Sequence, residues 1–143
     1  MKHQVLPAVN VFIVNDDKVL LGRRSNTGWM DGKLGAPGGH IEQGESPTTA
    51  IIREIEEELG VTVQEQDLEF LCVAARNTTP MEYASYEFII RDKEYEFINN
   101  EPEKCSELVW ADMHNLPSDV ISDFISIIEQ SLIQGKVYLE LGY

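Results

Sequence analysis

The chain has 143 residues, with 25 acidic side chains against 11 basic ones and a formal net charge of −14, and its isoelectric point lies near 4.4. That length suits one domain built on one core, residues 1 to 143, with no room for a second module. The charge argues against nucleic acid polymers, which need basic surface to neutralise their phosphates, while free nucleotides that arrive with a divalent cation remain compatible.

The first residues, Met1-Lys2-His3-Gln4-Val5-Leu6-Pro7, lack the apolar region of a signal peptide. No apolar run approaches the ~20 residues of a membrane span, so the expected compartment is the cytoplasm and no membrane partner is expected. Val5 to Val14 and Lys18 to Arg24 read as strands joined at Asn15-Asp16-Asp17, a turn chemistry suited to a hairpin. A loop follows from Ser25 to Lys33. Ser46 and Pro47 open a helix that Gly60 closes, which places it over 47 to 59. Strands are expected near 68 to 75, 83 to 91, 94 to 98 and 107 to 111, with Arg91-Asp92-Lys93 as a tight connection. Ser118 is expected to cap a second helix ending at Gly135, with Val120, Ile121, Phe124, Ile125, Ile128 and Leu132 on its packing face. The order implies an α/β domain with a mixed sheet between helices.

Cys72 falls in an apolar strand and reads as a packed thiol, while Cys105 is open to either a packed or an exposed reading; together they form no C-x-x-C or zinc pattern. His40 reads as a solvated loop histidine that could reach a ligand.

The chemistry concentrates in the first helix. Ile51, Ile52, Ile55 and Leu59 occupy one arc, whereas Glu54, Glu57 and Glu58 share another about a third of a turn away. Glu56 belongs to neither and faces solvent. Like charges three and four residues apart are destabilising, and Glu57 and Glu58 lie in the last turn, where the helix dipole disfavours anions. At an effective dielectric of about 20, two unit charges about 4 Å apart repel by ~4 kcal/mol, and a divalent cation converts that cost into attraction. Arg53, one turn before Glu57, can hold that carboxylate in place. Glutamate is also a good helix former, so three glutamates alone could be a wet face. The whole stretch from Gly39 to Val61, with seven fixed residues and two apolar positions at set spacing, arises by chance on the order of 10⁻⁸ per starting point.

Gly39, Glu45, Arg53, Glu54, Ile55, Glu57, Glu58, Gly60 and Val61 match every fixed position in the signature box of Nudix hydrolases. The resemblance extends upstream through Val19-Leu20-Leu21-Gly22-Arg23-Arg24 and Pro37-Gly38-Gly39, and downstream to Val109-Trp110 and Leu116-Pro117. It implies a Nudix-like α/β/α sandwich and a loop-helix-loop that binds Mg²⁺, with Mn²⁺ as a substitute, and cleaves a diphosphate bond. By the same resemblance, Glu54, Glu57 and Glu58 and the Gly38 carbonyl are metal ligands. Glu54, Glu57 and Arg53 act in catalysis, and Gly39, Glu45 and Gly60 shape the loop, with Glu45 and Arg53 bracing it. Independent chemistry agrees, because Mg²⁺ prefers oxygen ligands and keeps room for substrate phosphate.

For substrate, Arg23 and Arg24 end a strand before the loop, and strand alternation lets one of them face a cleft. Arg23 stands where the resemblance implies the phosphate-binding arginine of MutT-type nucleoside triphosphate pyrophosphohydrolases, leaving Arg24 a surface ion pair. Trp29 could stack on a base or pack as a lid, with Met30 and Asp31 beside it. Glu101 and Glu103 precede a strand, where Nudix enzymes often draw a further acid or base, although acidic loops commonly just face water. The sequence lacks the extra motifs of NADH, coenzyme A and ADP-ribose hydrolases, and Leu116-Pro117-Ser118-Asp119 offers no match to the base-reading asparagine of oxidised-purine triphosphatases.

The expected substrate is therefore a nucleoside triphosphate, split to monophosphate and pyrophosphate, with nucleotide sugars or ADP-ribose as the runner-up. A homodimer is compatible. A non-catalytic nucleotide sensor on the same fold and a calcium-binding acidic protein are the readings from other classes. The intact Arg53, Glu54, Glu57 and Glu58 disfavour the sensor, and the absence of a D-x-D-x-D-G loop disfavours the calcium protein.

Overall fold

The structure, a computed structural model, describes residues 1–91 and 93–143. The turn expected at Arg91-Asp92-Lys93 thus falls partly on Asp92, outside the described residues. Strands β1 (Leu6–Asn15) and β2 (Lys18–Arg24) form the expected hairpin around Asp16 and Asp17, and two short strands follow, β3 (Leu34–Gly35) and β4 (Gly38–His40). Next come helix α1 (Pro47–Leu59), strands β5 (Glu69–Asn77), β6 (Glu82–Arg91) and β7 (Cys105–Asp112), helix α2 (Ser122–Ile127) and strand β8 (Tyr138–Leu141). The sheet runs β3-β2-β1-β6-β5-β8, with β4 on β1 and β7 on β2. It is mixed: β1 lies parallel to β6 from Leu6↔Tyr83 to Val14↔Arg91, whereas β5 and β6 are antiparallel.

Alternation along β1 assigns the two faces. Val9, Val11 and Ile13 pack with Ala50, Ile51, Ile55 and Leu59 of α1. Phe12 and Val14 pack on the other side with Phe124, Ile127 and Ile128. A strand buried on both faces needs a nearly continuous apolar run, which is what β1 carries. Asn10, also buried, breaks the row on the α2 face.

The ends of α1 follow from its caps. Ser46 Oγ accepts the Thr49 N–H at 3.1 Å, Pro47 opens the first turn, and Gly60 takes a left-handed conformation at φ 70° with its N–H on the Glu56 carbonyl. A Cβ on Gly60 would also come within 2.9 Å of Ile98, so glycine serves conformation and packing together.

Three expectations are corrected. Residues 94–98 form no strand: Ile98 N–H bonds the Leu59 carbonyl at 3.0 Å and Asn100 N–H bonds the Glu58 carbonyl at 2.9 Å. The segment therefore satisfies carbonyls left open at the end of α1, and its alternating Tyr95 and Phe97 pack beside the α1-side core. Ser118 caps no helix. The backbone of 119–121 instead pairs with Leu34, which donates to Asp119 and accepts from Ile121 at 3.0 and 2.9 Å, so α2 begins only at Ser122. That helix continues as a wider turn over Ile128–Ile133 before Gly135, at φ 82°. Finally, β3, β4 and β8 were not foreseen.

Candidate active site

The α1 carboxylates open onto a cleft of about 730 Å³ between β2, β4, the start of α2 and the segment carrying Glu101. The approach to α1 depends on two glycines. A Cβ on Gly38 would stand 2.1 Å from the Val9 carbonyl, and one on Gly39 would stand 2.4 Å from Glu54 Oε1. Only glycine lets this backbone lie against both β1 and the helix.

Arg53 organises the loop. Its Nε and Nη2 clasp both oxygens of Glu45 at 2.7 and 2.9 Å, and Nη2 also bonds the His40 carbonyl at 3.1 Å. Hydrogen bonds from Arg53 and from the Glu42 N–H hold the Glu45 carboxyl down at about 2, and the same pairing raises the guanidinium. Arg53 Nη1 reaches Glu54 at 2.9 Å and Glu57 more weakly at 3.4 Å. The arginine expected to hold Glu57 thus holds chiefly Glu45 and Glu54.

The three helix carboxylates differ. Glu58 accepts the Gly38 N–H at 3.0 Å, and burial, together with Glu54 and Glu101, pushes it up to about 8. Burial also raises Glu54, against the pull of Arg53, with further pressure from Glu57 and Glu101. Glu57 is half exposed. Glu56 points out of the cleft and accepts from the Thr62 hydroxyl. Four carboxylates crowd one end of the cleft, yet among the described residues no three acidic, histidine or cysteine side chains already surround one point. Glu54 is drawn to Arg53 and Glu58 to the Gly38 N–H.

Residues 5–129 match the NUDIX domain. The chain belongs to the Nudix hydrolase family. It is 40% identical over 57 residues to the 8-oxo-dGTP diphosphatase of Escherichia coli, a match covering 40% of this chain and 44% of that protein. The chain thus spans less than half the length of that relative. A MutT NUDIX hydrolase from Burkholderia pseudomallei superposes with a TM-score of 0.80 at 26% identity, over 90% of this chain and 98% of the other. The NUDIX domain of Shewanella oneidensis NrtR, solved with ADP ribose, superposes at 0.72 and 23% identity over 90% of this chain and 87% of the other, a likeness of fold.

Within this Nudix domain, the expectation that only one of the two arginines faces the cleft is corrected. A register shift between Arg23 and Arg24 breaks the alternation, so both line the cleft. Arg23 is the ion-paired residue, bonded to Glu107 at 2.7 Å, Asp119 at 2.6 Å and the Gly32 carbonyl at 2.9 Å. Arg24 makes no ion pair among the described residues. It bonds the Trp29 carbonyl and the Thr27 hydroxyl, lies 4.8 Å from the Trp29 ring centroid, and is lowered by burial against the attraction of Asp31 and Glu58.

Trp29 lines the cleft but Asp31 does not. The Asp31 carboxylate accepts from the Thr27 hydroxyl and from the Thr27 and Gly28 N–H groups, which spends it on the loop itself. Glu101 lines the cleft, whereas Glu103 is exposed outside it. His40 also lines it, its ring 5.8 Å from that of Tyr83. Cys72 is buried, and Cys105 lines the cleft with its S–H on the Glu107 carbonyl.

The sequence reading passed over Arg76, Tyr83 and Lys104, which also line the cleft. One signal was present: Asn10, Arg76 and Glu87 place polar groups at inward positions of otherwise apolar strands.

Proposed function

We propose that this Nudix domain hydrolyses a nucleoside triphosphate to the monophosphate and pyrophosphate with Mg²⁺, for which Mn²⁺ can substitute. The observation that carries the reading is the crowding of Glu54, Glu57, Glu58 and Glu101 at one end of the cleft, with Glu58 pushed up to about 8. Hard oxygen donors under mutual repulsion fit a divalent cation, and Glu54, Glu57, Glu58 and the Gly38 backbone would hold it. A cation held by these residues would supply charge neutralisation at the diphosphate oxygens and a lowered pKa for the attacking water.

The chain's own groups supply the rest. Arg53 locks the Glu45 loop and bonds Glu54, and Arg24, which makes no ion pair among the described residues, meets phosphate oxygens. Glu101, which lines the cleft, takes or gives a proton in this reading, and Glu103, outside the cleft, has no part in it. Similarity to the 8-oxo-dGTP diphosphatase supports a triphosphate substrate, and the net charge of −14 supports a free nucleotide over a polymer.

A panel of nucleoside triphosphates, nucleotide sugars, ADP-ribose and dinucleoside polyphosphates, assayed with Mg²⁺ by phosphate release after coupling, tests the reading. Triphosphate turnover is expected. Turnover of ADP-ribose or nucleotide sugars with triphosphates untouched moves the assignment to the runner-up class, and silence across the panel revives the sensor reading.

A further inference from the structure

The cleft floor on the α2 face of the sheet holds a second polar group, and nothing in diphosphate cleavage calls for it. Arg76 on β5 is 5% exposed and lines the cleft. Its Nε donates to Asp123 Oδ2 at 2.9 Å, tying β5 to α2. Its Cζ lies 5.2 Å from the Phe124 ring centroid and 5.7 Å from that of Tyr83. Among the described residues, neither terminal nitrogen of this guanidinium has a hydrogen-bond partner. Neither of these nitrogens is among the buried side-chain atoms that lack a partner, so their four hydrogens are open to the cleft, where a ligand can meet them.

The neighbours narrow what those donors meet. Asn10 spends its amide hydrogens on Ser85 at 3.0 Å and Glu87 at 3.2 Å, leaving its oxygen against Gly38 in the cleft wall. Asp123 already balances the Arg76 charge, and burial holds the proton on Glu87 more tightly than usual. The floor thus offers a donor fork and an acceptor with little net charge, beside the flat ring of Tyr83. That combination suits a neutral, planar, acceptor-rich group and disfavours a phosphate or carboxylate.

We propose that Arg76 reads the O6 and N7 acceptor edge of a keto purine and makes the enzyme selective for guanine-type over adenine-type nucleotides. The inference rests on the reading of this cleft as a nucleotide site. Arginine pairs with O6 and N7 of guanine, whereas adenine turns an N6 donor toward the same fork. The Asn10 oxygen complements the N1–H of the keto form.

Steady-state kinetics on GTP, ITP and ATP with Mg²⁺ provide the test, together with calorimetric titration of GMP, IMP and AMP. In the wild type, kcat/KM for GTP and ITP should exceed that for ATP by roughly 5- to 150-fold, mainly through KM. ITP lacks the 2-amino group and isolates the contribution of the 6-keto edge. Arg76→Gln, whose amide matches adenine, should erase or invert the preference. Arg76→Lys keeps a charge opposite Asp123 but loses the fork, and it should lose the preference while melting near the wild-type temperature. Equal kcat/KM for the three substrates in the wild type overturns the inference, as does an equal loss on all three in both variants. If no triphosphate is hydrolysed, the proposed reaction fails and the titrations decide this point alone. GMP and IMP binding more tightly than AMP supports it, and equal or undetectable binding overturns it.

Discussion

The two ends of the cleft handle buried charge in opposite ways. At the α1 end, burial raises Glu54 and Glu58, and the carboxylates press on one another and on Glu101 while Arg53 answers only some of that charge. At the floor, Arg76 is matched one to one by Asp123 and enclosed by rings, so donors remain but net charge does not. An unbalanced cluster asks for a counter-charge, whereas a balanced one can only discriminate shape and hydrogen bonds. On the proposed reading, chemistry belongs to the first end and selectivity to the second.

The sharpest way to break that division is at the helix. Glu57→Gln keeps shape and removes a charge, and kcat should fall by roughly 10²–10⁴-fold while the fold stays intact. Glu56→Gln, next in sequence but outside the cleft, should change kcat little. Near-equal losses from both would undo the assignment of faces.

Metal removal sharpens the same end. A carboxyl raised to about 8 in the folded chain lends stability that is complete below its ordinary value near 4.5 and is lost as pH rises through 8. In EDTA the melting temperature should fall between pH 5 and pH 9, Mg²⁺ should restore it, and Glu58→Gln should flatten the slope. A wild-type slope retained in Glu58→Gln would place the strain elsewhere. Glu45 carries the opposite sign: held at about 2, it lends stability that is present above 4.5 and lost as pH falls toward 2, so Glu45→Gln should blunt acid unfolding.

A smaller effect separates the two loop acids. Glu101→Gln should reshape the pH profile of kcat, whereas Glu103→Gln should match the wild type at saturating Mg²⁺. A wild-type profile in both removes Glu101 from proton transfer. The smallest expected change is in the scaffold, where Ser46→Ala should cost about 0.5–2 kcal/mol by denaturant unfolding and leave substrate preference untouched.

How much of this was legible follows from how local each signal is. Helix α1 was readable to the residue because its caps, its apolar arc and its charged arc all lie within Ser46 to Gly60. Strands β3, β4 and β8 span two to four residues each, too few for any period, and they exist because longer neighbours offer them an edge. Tyr95 and Phe97 do alternate, but their backbone serves the end of a helix, a partner that sequence spacing does not name. The Arg23 and Arg24 assignment turned on a single register shift. Arg76 escaped notice because its meaning depends on Asp123 and Phe124, 47 and more residues away, while its own strand reads as ordinary core.

The segment that replaces the expected strand also sets a mechanical link. Ile98 and Asn100 are bonded to the last carbonyls of α1, and Glu101 follows directly. Unwinding of the final helical turn and withdrawal of Glu101 from the cleft therefore become one event. Its frequency is set by the local stability of a helix end, so the position of Glu101 can be tuned from Gly60 or Asn100 without altering the α1 carboxylates.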